Sequence, residues 1–384
     1  MRLATYLPGH HHRSFSIVFI FQVSCVSLLV SAGIFVYHHI NTLRNSHVLI
    51  PLIVRQTRKS VHKATTMSPS LFTTSVIKDD HRVVVRKSQY YRRRDTKVNE
   101  YKYRAMLTPQ RQPVCYNDTR VIVMVHSHPA YVDKRQAIRQ TWGSTIQKPN
   151  QVKWPHVPTC CPHMRLFFLL GINTELNNAI REELLHHDDI IQGDFIDSYQ
   201  NMTLKSLLGL KIVKDMCPGV TYLLKSDDDV FVNIPFLLHR LDKNPLTRGI
   251  MGARVGHAAP WRTGKWAVTY RQFPFDFFPP YIHGSSYVIS SDIIGPLYDS
   301  SHYVPWLPLE DVYVTGILGQ IVHAKHSTVV GSGGKSQDKF ARPAGQPATA
   351  CDLTRRRLLS ATHMPVDKLY AVWGNLHRSK HRCW

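Results

Sequence analysis

Three aspartates in a row, Asp227, Asp228 and Asp229, stand between two apolar runs in the stretch YLLKSDDDVFVN, residues 222–233. The chain around them carries a formal net charge of +22, so the cluster is no by-product of an acidic composition. Adjacent carboxylates repel, and crowding them costs free energy unless a cation or solvent relieves it. A divalent ion that prefers oxygen ligands would relieve it and could bridge to phosphates. In extended backbone alternate side chains point the same way, so Asp227 and Asp229 are expected at one site and Asp228 at another. The competing reading is a solvated acidic turn. A second carboxylate pair, Glu310 and Asp311, opens LEDVYVTGIL ahead of an apolar helix. It suits either a base that takes a proton from a weak nucleophile or a helix N-terminus that favours negative charge. Arg135 and Arg139 lie four apart in RQAIRQTWG, on one helix face. Their guanidinium groups suit phosphate and carbonyl contacts, or they face water.

The elements that must position these groups are legible after about residue 120. Residues 121–127, VIVMVHS, form a continuous apolar run with branched side chains, the pattern of a buried strand. Residues 134–143 read as a short helix that ends at a glycine. Further buried strands are expected over 165–171, 189–195 and 221–226, with helices over 174–187 and 202–216. Strand and helix in alternation predict an α/β class with a wound sheet. The aspartates then follow a strand at its carboxyl end, the edge where ligands bind in open α/β sheets.

Outside that domain, residues 15–37 contain no charged side chain. That is long enough to cross a bilayer, which takes roughly 20 residues, and longer than the apolar core of a cleaved secretory signal. An uncleaved anchor is expected, with removal after VSAG, residues 30–33, as the alternative. Residues 38–113 hold 16 Lys and Arg against 4 Asp and Glu, a net of +12, and read as a basic stalk. A nucleic-acid protein can carry such a tract, but no nucleic-acid fold motif accompanies it, and a solvated tether beside an anionic membrane is the expectation. Seven cysteines include Cys25 within the apolar segment, leaving an even number for disulfides in an oxidising compartment. Their pairing stays open. Asn117 and Asn201 head N-glycosylation sequons, usable if the chain beyond the anchor is lumenal.

The run of motifs from about 120 to 376 resembles the Golgi β-1,3-hexosyltransferases, the β-1,3-galactosyl- and β-1,3-N-acetylglucosaminyltransferases. The likeness is carried by RQAIRQTWG, RLFFLLG, DIIQGDFIDSYQNMTLKSLLGLK, YLLKSDDDVFVN, GKWAV, FPPYIHGSSYVIS, EDVYVTGIL and ATHMPVDKLYAVW, in matching order and spacing. It implies a GT-A fold over 114–384 behind a cytoplasmic tail, residues 1–14, and a single-pass type II anchor in the Golgi membrane. It implies a UDP-sugar donor, a glycan acceptor on protein or lipid, and Mn²⁺ as cofactor. By the same resemblance Asp229 and His363 would hold the metal, and Asp227 and Asp228 the uridine, ribose or donor sugar. Asp311 would be the catalytic base and Glu310 would orient a substrate. Asp194 and Lys205 would add to the donor site. Trp266 and Tyr281 are candidates for stacking on sugar rings, with core packing as the alternative.

Three departures bear on the pockets. The family usually has a second glycine where this chain has Ser286, and a glycine lets backbone approach a ligand closely. Paired Cys160 and Cys161 sit in an atypical insertion before the second strand. The polar, glycine-rich stretch 333–351 is expected to be a loop. GKWAV favours galactose as the donor sugar, N-acetylglucosamine being the alternative. A non-catalytic glycan-binding protein on the same fold is the rival from another class.

Overall fold

A computed structural model of the chain describes residues 92–328, apart from 156, 158–159 and 162. It also describes 353, 358–378 and two two-residue strands, Lys78–Asp79 and Arg82–Val83. The expected anchor and most of the expected stalk lie outside these residues. Among those described, no helix is long and apolar enough to cross a membrane.

One eight-stranded mixed sheet organises the chain. Its strands are β1 (Ala105–Leu107), β2 (Val121–His126), β3 (Met164–Ile172), β4 (Ile190–Ile196), β5 (Tyr222–Asp227), β7 (Gly249–Val255), β8 (Tyr281–Ser290) and β9 (Lys325–Ser327). Their spatial order is β9-β7-β8-β5-β2-β3-β4-β1. The neighbours β5, β2, β3 and β4 run parallel, as the alternation of strand and helix predicts. The sequence did not reveal that β8 inserts antiparallel between β5 and β7. A separate antiparallel pair joins β6 (Phe231–Val232) to β10 (Ser360–Ala361).

All six residues of β2 are buried, and they divide between two cores by the period of the strand. Val121, Val123 and Val125 enter one core, while Ile122 and Met124 enter the other. Helices α1 (Val132–Gln140), α3 (Asn177–His187) and α4 (Met202–Met216) follow β2, β3 and β4 as their apolar spacing predicts. α2 (Ser144–Gln147), α5 (Ile234–Lys243), α6 (Ser291–Ser301) and α7 (Val366–Arg378) complete the layers. α1 stops at Gln140, short of its glycine, because Trp142 turns into the core and its Nε1 donates to Val230 O at 3.0 Å. The Cys115–Cys217 disulfide ties the entry to β2 to the end of α4. Cys160 and Cys161 are bonded to each other, while Cys351 and Cys383 lie outside the described residues.

The stalk boundary at residue 113 is corrected. Asn99 Nδ2 donates to Ser301 O at 2.8 Å and Val304 O at 2.6 Å, which satisfies carbonyls at the end of α6. Arg94 N donates to Tyr303 O at 2.9 Å, and Tyr101 and Tyr103 pack on the core. β1 then pairs with β4 as the last strand of the sheet. The folded domain therefore includes the chain from Arg93 onward. Charge composition misled there, because the aromatic and amide residues that dock the segment are interspersed among its cations.

Candidate active site

The first aspartate is the last residue of β5, and the chain turns at Asp228–Asp229 before β6. The turn separates the three carboxylates. Asp227 and Asp229 line a cleft of about 620 Å³. Asp228 points the other way, accepting from Ser127 Oγ at 2.8 Å and from Lys134 Nζ at 2.8 Å.

Glu310 and Asp311 reach the same cleft from the start of a π-helical segment, Val312–Leu318. The helix-start reading of this pair holds, and both side chains also line the cleft. Asp311 Oδ1 accepts from Val312 N at 2.9 Å, which caps the helix, while Oδ2 accepts from Gly284 N at 2.9 Å across the cleft wall. Glu310 is buried and accepts from Ser206 Oγ at 2.8 Å and from Tyr287 Oη. Burial pushes both carboxyls above their ordinary values, and the Val312 amide opposes the rise at Asp311.

Between the two carboxylate groups stands Lys225, two residues before Asp227 and on the same side of the strand. Its Nζ lies 2.6 Å from Asp227 Oδ1 and 3.7 Å from Glu310 Oε2, and it donates to Gly284 O. Burial alone would lower this ammonium; the Asp227 and Glu310 carboxylates hold it above its usual value. Gly284 is packed so closely that a Cβ there would meet Asp311 Oδ2 at 3.2 Å and Glu310 Oε2 at 3.3 Å.

The mouth of the cleft is aromatic. Trp266 and Tyr281 line it, and Trp266 is 49% exposed. Tyr199, Trp261 and Lys265 join them, with Lys265 Nζ 4.6 Å from the Tyr199 ring centre. Burial and the nearby Asp311 carboxylate push the Tyr199 hydroxyl up to about 12. The sequence reading missed Tyr199, Trp261, Lys225 and Lys265. For Lys225 a signal existed, since a residue two before Asp227 must share its face.

His363 lines the cleft from the C-terminal side. The amide of the next residue, Met364, donates to Asp229 O at 2.8 Å, so the backbone brings these two candidate ligands together. A carboxylate oxygen and an imidazole nitrogen are a donor set that suits Mn²⁺. Among the described residues no three His, Cys, Asp or Glu side chains gather as a metal cage.

Besides Asp228, four expected donor contacts do not line this cleft. Arg135 is fully buried, its fork spent on Glu183 at 2.8 and 2.6 Å and on the carbonyls of His128 and Pro129. Arg139 holds Asp189 with two bonds of 2.8 Å. Lys205 donates to Ser127 O at 2.6 Å and pairs with Asp197 at 2.9 Å. Asp194 accepts from Arg104 N at 2.6 Å, at the β1 edge. Helical spacing placed the two arginines on one face correctly, but the face is the inner one, where Glu183 and Asp189 await. Arg135 still reaches the aspartate run indirectly, since its Nη1 donates to Ser127 Oγ at 3.2 Å and that hydroxyl donates to Asp228.

Of the two sequons, Asn117 is exposed. Asn201 is half-buried, and its Nδ2 donates to Ile196 O at 2.8 Å.

Fold and cleft together define an α/β protein whose opposed carboxylates meet under an aromatic rim at the carboxyl edge of the parallel strands. The family model described as Galactosyltransferase matches residues 133–329. Beta-1,3-galactosyltransferase 5 of Mus musculus is 32% identical over 271 residues, which cover 68% of this chain and 80% of that enzyme. UDP-GalNAc:beta-1,3-N-acetylgalactosaminyltransferase 1 of Sus scrofa is 34% identical over 202 residues, 50% of this chain and 58% of that enzyme. Among solved structures, the WbbM bifunctional glycosyltransferase aligns with a TM-score of 0.34 at 9% identity, covering 67% of this chain and 50% of that one. Nothing about fold or function follows from a likeness at that score. The chain belongs to the galactosyltransferase family and, within it, to the β-1,3-hexosyltransferases.

Proposed function

We propose that this chain is an inverting, metal-dependent β-1,3-galactosyltransferase of GT-A type that moves the sugar from a UDP donor to the 3-hydroxyl of an acceptor glycan. The observation that carries the reading is one cleft lined by Asp227, Asp229 and Asp311 together, with Lys225 between Asp227 and Glu310. The acceptor hydroxyl attacks the anomeric carbon and gives its proton to the Asp311 carboxylate. The bond from that carbon to the diphosphate oxygen breaks on the opposite face, and UDP leaves with the electron pair. Desolvation raises the affinity of Asp311 for a proton, and the Gly284 and Val312 amides fix the direction of its lone pairs. Glu310, locked by Ser206 and Tyr287, holds Lys225 and through it Asp227. Asp229 and His363 would hold Mn²⁺, which supplies Lewis-acid stabilisation of the departing diphosphate. Trp266, Trp261 and Tyr281 offer flat faces on which acceptor sugars stack.

The apolar segment 15–37 would anchor the enzyme in the Golgi membrane with its domain in the lumen, where Asn117 is the better-exposed sequon. A test offers UDP-galactose, UDP-N-acetylglucosamine and UDP-N-acetylgalactosamine, with Mn²⁺ and a panel of β-linked acceptors. UDP release with UDP-galactose, lost in EDTA and in Asp311→Asn, is the expected result. Release with another donor would replace the sugar in this reading, and failure to bind UDP would end it.

A further inference from the structure

His363 is a single residue on a short segment, yet it must stand opposite Asp229. Three sets of contacts hold that segment. β10 pairs with β6 through Ser360↔Val232 and Ala361↔Phe231. Asn233, just past β6, donates from its backbone to Leu359 O at 2.8 Å and from Nδ2 to Leu353 O at 2.7 Å and Leu358 O at 3.2 Å. The third contact is a side-chain pair, in which Ser286 Oγ lies 2.8 Å from Ser360 Oγ with both residues 1% exposed.

Ser286 stands on β8, directly opposite Ser226 of β5 in the ladder. Its side chain does not line the cleft; it reaches the β10 segment instead. The bond therefore ties the sheet strand beside the aspartate run to the segment that carries His363, three residues on. His363 itself has φ of 56°, the left-handed region that a residue with a Cβ enters at a cost. A strained residue persists only where its surroundings over-determine it. Here the determinants flank it, with the Ser360 contact before it and the Met364 N to Asp229 O bond after it.

We infer that Ser286 and Ser360 form a latch that positions His363 against Asp229 and so sets how readily the cleft takes a divalent cation. The inference rests on the metal-dependent reading above. A glycine at 286 would remove this hydroxyl contact from Ser360. Ser286 is on this account a positioning residue, with no contact to substrate.

The test uses the full-length protein and the variants Ser286→Ala, Ser286→Gly, Ser360→Ala and the double alanine variant. UDP binding is followed by calorimetry while Mn²⁺ is titrated, and amide exchange is followed over residues 358–366. Each single variant should raise the Mn²⁺ concentration for half-maximal UDP binding about 3- to 10-fold, the range of one net hydrogen bond. The double variant should add nothing further, as for two halves of one contact. kcat at saturating Mn²⁺ should stay within about two-fold, and amides at 360–364 should exchange faster. Faster exchange with an unchanged Mn²⁺ requirement would overturn the positioning role, as would single effects that multiply in the double variant. Wild-type UDP binding indifferent to Mn²⁺ would overturn the metal reading and the latch's purpose with it. The exchange data would then still report whether the serine pair holds the segment.

Discussion

Removing the ammonium of Lys225 should expose how much of the cleft is held by charge. In Lys225→Met a similar apolar volume replaces the side chain, while Asp227 and Glu310 lose the cation between them. The Lys225–Glu310 pair is 3% and 6% exposed, so little solvent is at hand to compensate. Asp227 is 33% exposed, and water screens much of its share. Stranding one buried partner of such a pair costs about 3–5 kcal/mol, which for a domain of this size lowers Tm by roughly 6–20 °C. The loss should depend on pH. Burial already raises Glu310, and losing Lys225 removes an opposing influence, so its folded-state affinity for a proton rises further. A carboxyl raised on folding destabilises the folded state at pH values above its folded pKa. The penalty shrinks as pH falls through that value and vanishes below the unfolded one. Thermal unfolding of both proteins from pH 7.5 down to pH 5 checks this: the gap in Tm should narrow toward pH 5. A gap under about 2 °C at neutral pH, or one that widens on acidification, would refute the electrostatic account.

Asp311→Asn should lower kcat by about 10²–10⁴-fold, the usual range for a lost general base, and leave UDP binding by calorimetry within two-fold. Because burial raises Asp311, kcat/KM in the parent enzyme should fall on acidification at a pH above the ordinary aspartate range; a limb within that range would remove the base from Asp311. Arg135→Met should destabilise the fold by about 1–3 kcal/mol, since it leaves the His128 and Pro129 carbonyls without their donor while Glu183 keeps Arg139 at 2.7 Å, and a donor KM raised at unchanged Tm would return Arg135 to the nucleotide site. His363→Gly should abolish Mn²⁺-dependent activity at unchanged or slightly raised Tm, since glycine occupies positive φ without the penalty, roughly 1 kcal/mol, that a Cβ incurs.

Adjacent-residue chemistry was the most legible part. The aspartate run, its place at a strand end and its split between Asp227/Asp229 and Asp228 follow from sequence, because a strand's period and the repulsion of neighbours are local facts. α4 covers the residues its spacing predicts, since nothing outside overrides fifteen residues of consistent pattern. That Arg135, Arg139 and Lys205 lie away from the cleft was hidden for the opposite reason. The carboxylates that Arg135 and Arg139 hold lie 48 and 50 positions away and the carbonyl that Lys205 meets 78, beyond any short window, although Asp197, which Lys205 also pairs with, is only 8 away. The antiparallel insertion of β8 and the Ser286–Ser360 contact, 74 residues apart, are hidden in the same way.

β1 also has a bearing on how the domain is handled. A secreted fragment that starts at residue 105 or 114 would shed the docking contacts of Asn99, Tyr101 and Tyr103, and the later start would remove β1 altogether. β4 would then present unpaired backbone along the margin of the remaining seven-stranded sheet, an invitation to intermolecular strand addition. Self-association of such a fragment would reflect the cut rather than the enzyme, and a start at or before Arg92 keeps the margin covered.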